Sequence, residues 1–139
     1  MRVLLAFTLT CVALAAGAQE LQPGQWRVVT RPLTGLAMPP GVAMRCLTPE
    51  EVKDPGKTFA PQVSTVNSDC ERTKFELEPG SLTWRLQCKG QLDMDVAGQF
   101  VFESPTKYSA IIATKAAMLE RVVQESVVTI TAERVGDCP

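Results

Sequence analysis

The sequence predicts a mainly β fold, an antiparallel meander of roughly five to seven strands forming a small half-open barrel or sandwich. One short helix after Cys46 and two disulfides complete the expected architecture. The prediction rests on three features. Polar and apolar residues alternate with period two from Arg72 to Phe102. Turn signals recur at short spacing, at Pro79-Gly80, Gly90 and Ser104-Pro105. Four cysteines follow an export-type N-terminus.

Residues 1–18 read as a signal peptide. Arg2 supplies a positive start, Val3 to Ala16 a mostly apolar run of fourteen, and Ala16-Gly17-Ala18 an A-x-A cleavage site. A membrane span needs about 20 apolar residues, so this run is too short to be one. Cys11 lies inside the run, behind Thr8-Leu9-Thr10, and not at its end after small residues, which argues against lipid anchoring. Cleavage leaves residues 19–139, 121 residues, as a single disulfide-stapled β domain. Arg2 departs, so 13 basic residues face 15 acidic ones and the net charge is −2. Without a basic run, neither nucleic acid nor an anionic membrane is an expected partner. No second long apolar run follows, so no membrane span is expected.

Cys11 leaves with the peptide, and Cys46, Cys70, Cys88 and Cys138 remain. An even set in an exported chain of this size reads as two disulfides. Zinc is a poor alternative, because the chain has no C-x-x-C and no histidine. No metal ligand and no cofactor is assigned.

Along the chain, Gln25 to Thr30 reads as a strand after Pro23-Gly24, ended by Pro32. A Gly-, Pro- and Met-rich loop then runs from Gly35 through Met38-Pro39-Pro40 to Cys46. Thr48 is a good N-cap, Pro49 suits the first helical position, and Glu51 completes a capping box. Asp54-Pro55-Gly56 ends the helix. One or two turns do not hold themselves together in water, so something outside must pin them. After a loop to Asp69, Thr73, Phe75 and Leu77 alternate with charged residues up to Pro79-Gly80. Leu82, Trp84, Leu86 and Cys88 then alternate with Thr83, Arg85 and Gln87, which makes a hairpin. A turn at Lys89-Gly90 leads to a strand with Leu92, Met94, Val96, Gly98, Phe100 and Phe102 on one face. Tyr108 to Thr114 follows as a strand. Residues 116–128 suit either period, and the β-branched run from Val127 to Thr131 assigns Arg121 to Arg134 to a strand.

Parity constrains the disulfides. If Phe75, Leu77, Trp84 and Leu86 share the inner face, Cys88 points inward and Cys70 outward, so joining them requires a bulge. Of three connectivities, the preferred one is Cys46–Cys70 with Cys88–Cys138. The first bridge would close the loop carrying the helix, and the second would clip the C-terminus to a central strand.

Several stretches together resemble the bacterial family catalogued as domain of unknown function 3617. They are Pro23-Gly24-x-Trp26, Met38-Pro39, Cys46-Leu47-Thr48-Pro49-Glu50, Asp69-Cys70, Trp84-x-x-x-Cys88-x-Gly90 and Arg134-x-Gly136-Asp137-Cys138. The resemblance spans essentially the whole mature chain and implies an exported protein of the periplasm. It implies no activity and no catalytic residue. The chain departs from the family pattern in its last hairpin, where Ala116-Ala117 replaces glycine near a turn expected between Lys115 and Met118.

Little catalytic chemistry is available. Absence of histidine excludes Ser-His-Asp and Cys-His mechanisms. Ser104-Pro105-Thr106-Lys107 spells S-x-x-K, but in a proline turn and without companion motifs. Asp93 with Asp95, and Glu50 with Glu51, read as solvated pairs and helix capping. Met38, Met44, Met94 and Met118 are soft donors better explained as packing. Trp26, Trp84, Phe100 and Phe102 are core or line a pocket. The expected function is a non-enzymatic binding or interaction module for a hydrophobic small molecule. The alternative is a structural or accessory envelope protein acting through a protein partner.

Overall fold

The structure, a computed structural model, describes residues 20–35, 39–61 and 68–139. Residues 1–18, read above as a signal peptide, and Met38 lie outside these residues. Among them, seven strands form one antiparallel sheet: β1 Gly24–Thr34, β2 Gly41–Leu47, β3 Ser68–Glu78, β4 Ser81–Gly90, β5 Asp93–Ser104, β6 Lys107–Met118 and β7 Arg121–Gly136. The spatial order is β2-β1-β7-β6-β5-β4-β3, so the expected meander runs from β3 to β7 and the β1–β2 hairpin docks on β7. The edge strands β2 and β3 do not pair, and the sheet stays open.

The β2–β3 connection must therefore cross the full width of the sheet. It carries α1, Pro49–Lys53, and a second helix that was not expected, α2, Pro55–Phe59. Asp54 ends α1 as read, yet its carboxylate also accepts the Lys57 N–H at 3.0 Å and starts α2, with Pro55 in the first turn. Each helix has only five residues, too few to persist alone. They are pinned from outside. Thr58 Oγ1 donates to the Glu51 carbonyl at 2.7 Å, which ties the helices together. Phe59 inserts among Phe100, Phe102 and Tyr108, with ring centroids 5.1–5.6 Å apart. The core lies between this crossover and one face of the sheet, with Trp26, Leu47, Leu82, Trp84, Leu86 and Ala132 also buried.

The capping box forms as the sequence implies. Thr48 Oγ1 accepts the Glu51 N–H at 3.2 Å, and Glu51 Oε2 accepts the Thr48 N–H at 2.8 Å. Thr48→Ala is expected to lower stability by about 0.5–2 kcal/mol, and Glu51→Ala by less. Denaturant melts of both variants check this, and an unchanged Thr48→Ala midpoint would rule out the cap.

Several expectations need correction. The segment expected as loop up to Cys46 contains the edge strand β2, and β1 continues beyond Pro32 to Thr34. Pairing with β2 ends at Thr30, so Pro32, which lacks an N–H, lies where one side of β1 is unpaired. The turn expected at Lys89-Gly90 falls instead at Gln91-Leu92.

The preferred disulfide pairing is also overturned: Cys46 bonds Cys138 and Cys70 bonds Cys88. The bulge that the second bond requires is present. Phe75 pairs with Trp84 and Lys74 with Arg85, but the register then shifts so that Arg72 faces Leu86 and Cys70 faces Cys88. Thr73 is the extra residue, and it swings Cys70 to the inner face. For the other bond, Gln25 is flanked by Cys46 on β2 and by Gly136 on β7, which brings Cys138 within reach of Cys46. Each foot of the crossover is thus stapled separately to the sheet.

The last hairpin turns at Leu119-Glu120, beyond the expected Lys115 to Met118, and both residues have positive φ, 48° and 63°. That backbone suits Asn-Gly and is strained for leucine. Leu119 is 91% exposed, so its side chain contributes no packing. Replacing Leu119-Glu120 by Asn-Gly is expected to raise stability by about 1 kcal/mol. A urea midpoint that stays or falls would contradict this turn geometry.

Candidate functional site

A pocket of about 310 Å³ opens where the helices meet the β3–β4 turn. Its walls are Leu21, Val52, Pro55, Leu77, Pro79 and Phe102, with the charged Glu20, Lys53 and Glu78 also lining it. Local structure sets each wall. The capping box fixes α1 and with it Val52 and Lys53, and the second cap places Pro55. Leu21 is held because the Gln22 N–H donates to the Pro105 carbonyl at 2.7 Å and Trp26 Nε1 donates to the Gln22 carbonyl at 3.2 Å. Leu77 pairs with Leu82 beside the Pro79-Gly80 turn, and the Phe102 N–H donates to the Gly80 carbonyl at 2.8 Å. The result is an apolar recess with charge of both signs among its lining residues.

The opposite face of the sheet holds a broader cleft of about 660 Å³, with Ala97, Ala113, Val127, Arg85, Asp95, Lys115 and Glu125 among its lining. Its charges are already engaged. Arg85 forks onto Asp95 (Nε to Oδ1 2.7 Å), and Lys115 lies 3.6 Å from Glu125. The Arg85 guanidinium holds the Asp95 carboxyl below its ordinary range, with Gln87 helping and burial opposing. A depressed folded pKa means that the pair stabilises above the unfolded carboxylate pKa and fades as pH falls through the folded value. Asp95→Asn is therefore expected to lower the melting midpoint near neutrality, and the gap to wild type should close on acidification. A gap independent of pH would contradict the ion pair.

The residues singled out by sequence are scattered and not convergent. Asp93 accepts from Lys89 at 3.0 Å and from the Gly90 N–H, which lower its pKa in that order. Glu51 serves the cap, and the Thr48 N–H holds its carboxyl low against burial. Ser104 and Lys107 face each other across the β5–β6 turn, where Ser104 Oγ accepts the Thr106 N–H. Met44 and Met118 are exposed on different strands, β2 and β6, while Met94 packs against the core. Trp26, Trp84, Phe100 and Phe102 are all buried in that core, and Phe102 alone of the four reaches the pocket wall. Sequence reading missed Leu21, Val52, Pro55 and Leu77 as a group, because four separate segments contribute them.

No helix of the described residues is long and apolar enough to cross a membrane. No curated protein and no solved structure matches the chain. One family model does, over residues 21–138, from Leu21 of the pocket wall through the last bridging cysteine, and its description is "Protein of unknown function". The chain therefore belongs to the DUF3617 family.

Proposed function

We propose that this protein is an exported, periplasmic, non-enzymatic binding module whose pocket takes a small apolar molecule. The observation that carries the reading is the recess lined by Leu21, Val52, Pro55, Leu77 and Phe102. Its volume of about 310 Å³ is at the lower end of the range of roughly 300–1,000 Å³ common for ligand sites. Export is supported by the leader-like residues 1–18 and by two disulfides. Lack of histidine and the engagement of Asp93, Asp95 and Glu51 in ion pairs and capping argue for binding over catalysis.

A second reading, an accessory role on a protein partner, is favoured by the β6–β7 hairpin tip, where Met118, Leu119, Val122 and Val123 are exposed. Native mass spectrometry of protein isolated from its own periplasm separates the two. A retained small molecule that is lost in Leu77→Arg is the expected result. A retained protein without a small molecule would favour the accessory role, and retention unaffected by Leu77→Arg would remove the pocket from consideration.

A further inference from the structure

The two edges of the sheet are built differently, and the difference points to a partner. The β3 edge carries Asp69, Glu71, Lys74, Glu76 and Glu78 together with the Thr73 bulge. Charges and bulges are the devices that keep an edge strand from pairing with another chain. The β2 edge, Gly41-Val42-Ala43-Met44-Arg45-Cys46-Leu47, has neither device. Its single charge, Arg45, is compensated by Glu51 at 3.4 Å. On the face away from the helices it exposes Val42 (57%) and Met44 (52%), beside Val29 and Arg27 of β1. Among the described residues no strand pairs with this edge beyond β1, and past Pro39-Pro40 its exposed side chains are mostly apolar.

We propose that β2 pairs antiparallel with β2 of a second copy of this chain, about a two-fold axis at Ala43, so that the two sheets become one. The register makes the strand complementary to itself. With Ala43 opposite its own copy, Val42 falls opposite Met44 on the outer face, twice by symmetry. Arg45 falls opposite Gly41, whose Cβ position is open. No like charges meet. Pairing β2 with β3 of another copy would instead build an open-ended array, and the charges and bulge of β3 oppose it. Self-pairing through β2 closes at two copies. An edge contact of residues 41–45 is small, below the roughly 1,200 Å² of stable complexes, so the dimer is weak and concentration-dependent. This surface is separate from the pocket, and neither proposal depends on the other.

Sedimentation equilibrium of the purified protein up to about 100 μM tests the idea, since small interfaces populate in that range. Wild type is expected to self-associate into dimers and no further. Val42→Lys with Met44→Lys sets like charges opposite each other at both symmetric positions and should weaken association about tenfold. Val42→Lys with Met44→Glu sets opposite charges there and should return to within about threefold of wild type. Ala43→Cys places two thiols at the axis and should give a covalent dimer on mild oxidation, whereas Gly41→Cys should not. This cysteine pair tests the register even if the charged variants fold poorly. A wild type that stays monomeric, a double-lysine variant that associates like wild type, or a lysine–glutamate variant that does not recover would overturn the proposal. Absence of a covalent dimer for Ala43→Cys would do the same.

Discussion

Replacing Cys46 and Cys138 together by serine is expected to destabilise the protein by about 4.5 kcal/mol, and replacing Cys70 and Cys88 by about 3 kcal/mol. The order follows from loop length, since the first bond closes 92 residues and the second 18. A domain of this size has about 5–15 kcal/mol in all, so the first variant should be close to unfolding at physiological temperature. Position reinforces the entropic effect. Cys46 stands two residues before the Thr48 cap and Cys70 near the start of β3, so the bonds grip both feet of the crossover that carries Phe59 into the core. Denaturant melts of the two double variants give the order. Peptide mapping without reduction should find the Cys46–Cys138 and Cys70–Cys88 peptides, and thiol titration of denatured, unreduced protein should find no free thiol. A Cys46–Cys70 peptide, or equal losses in the two variants, would overturn the account.

Local chemistry was legible in the sequence, and pairing was not. The T-x-x-E box at Thr48 needs only four residues to declare itself, and it forms in full. The alternation through β4 and β5 likewise places Leu82, Trp84, Leu86, Phe100 and Phe102 on the buried face. A bulge, by contrast, is a property of two strands. Nothing in Arg72-Thr73-Lys74 alone marks Thr73 as the extra residue, and a single unseen residue reversed the parity of Cys70 and with it the disulfide pairing. β2 went unseen because Gly41-Val42-Ala43-Met44 has no alternation to read, being exposed along most of its length. Asp54-Pro55 was ambiguous in principle: the same dipeptide stops one helix and caps the next. The pocket was least legible of all. Leu21, Val52, Leu77 and Phe102 are unremarkable apolar residues until the crossover and the β3–β4 turn bring them to one place.

Trp84→Ala is expected to cost about 3–5 kcal/mol, as for other large core side chains, and the cost should depend on Gly98. Trp84 is 3% exposed and lies directly opposite Gly98 on β5. Its indole occupies the space a side chain would need: a Cβ built on Gly98 comes within 2.5 Å of Trp84 Cε2 and Cζ2. Gly98→Ala should therefore cost about 1–3 kcal/mol by overpacking. In a Trp84→Ala background the same change has room, and alanine is a better strand residue than glycine, so its cost should vanish or reverse sign. A double-mutant cycle reads this as a coupling between the two positions. Trp84 Nε1 adds a second handle, since it is buried and finds no hydrogen-bond partner among the described residues. Trp84→Phe removes that unsatisfied donor along with part of the ring, so it should cost much less than Trp84→Ala. Additive losses for Trp84→Ala and Gly98→Ala, or a Trp84→Phe as damaging as Trp84→Ala, would show that the indole does not lie over Gly98 as described. Arg85, next in sequence but pointing to the opposite face, should respond only as a surface ion pair does, through Asp95 and with a dependence on salt. A one-residue slip in the β4 register would exchange the behaviour of Trp84 and Arg85, so the pair of results fixes the register that the whole sheet inherits.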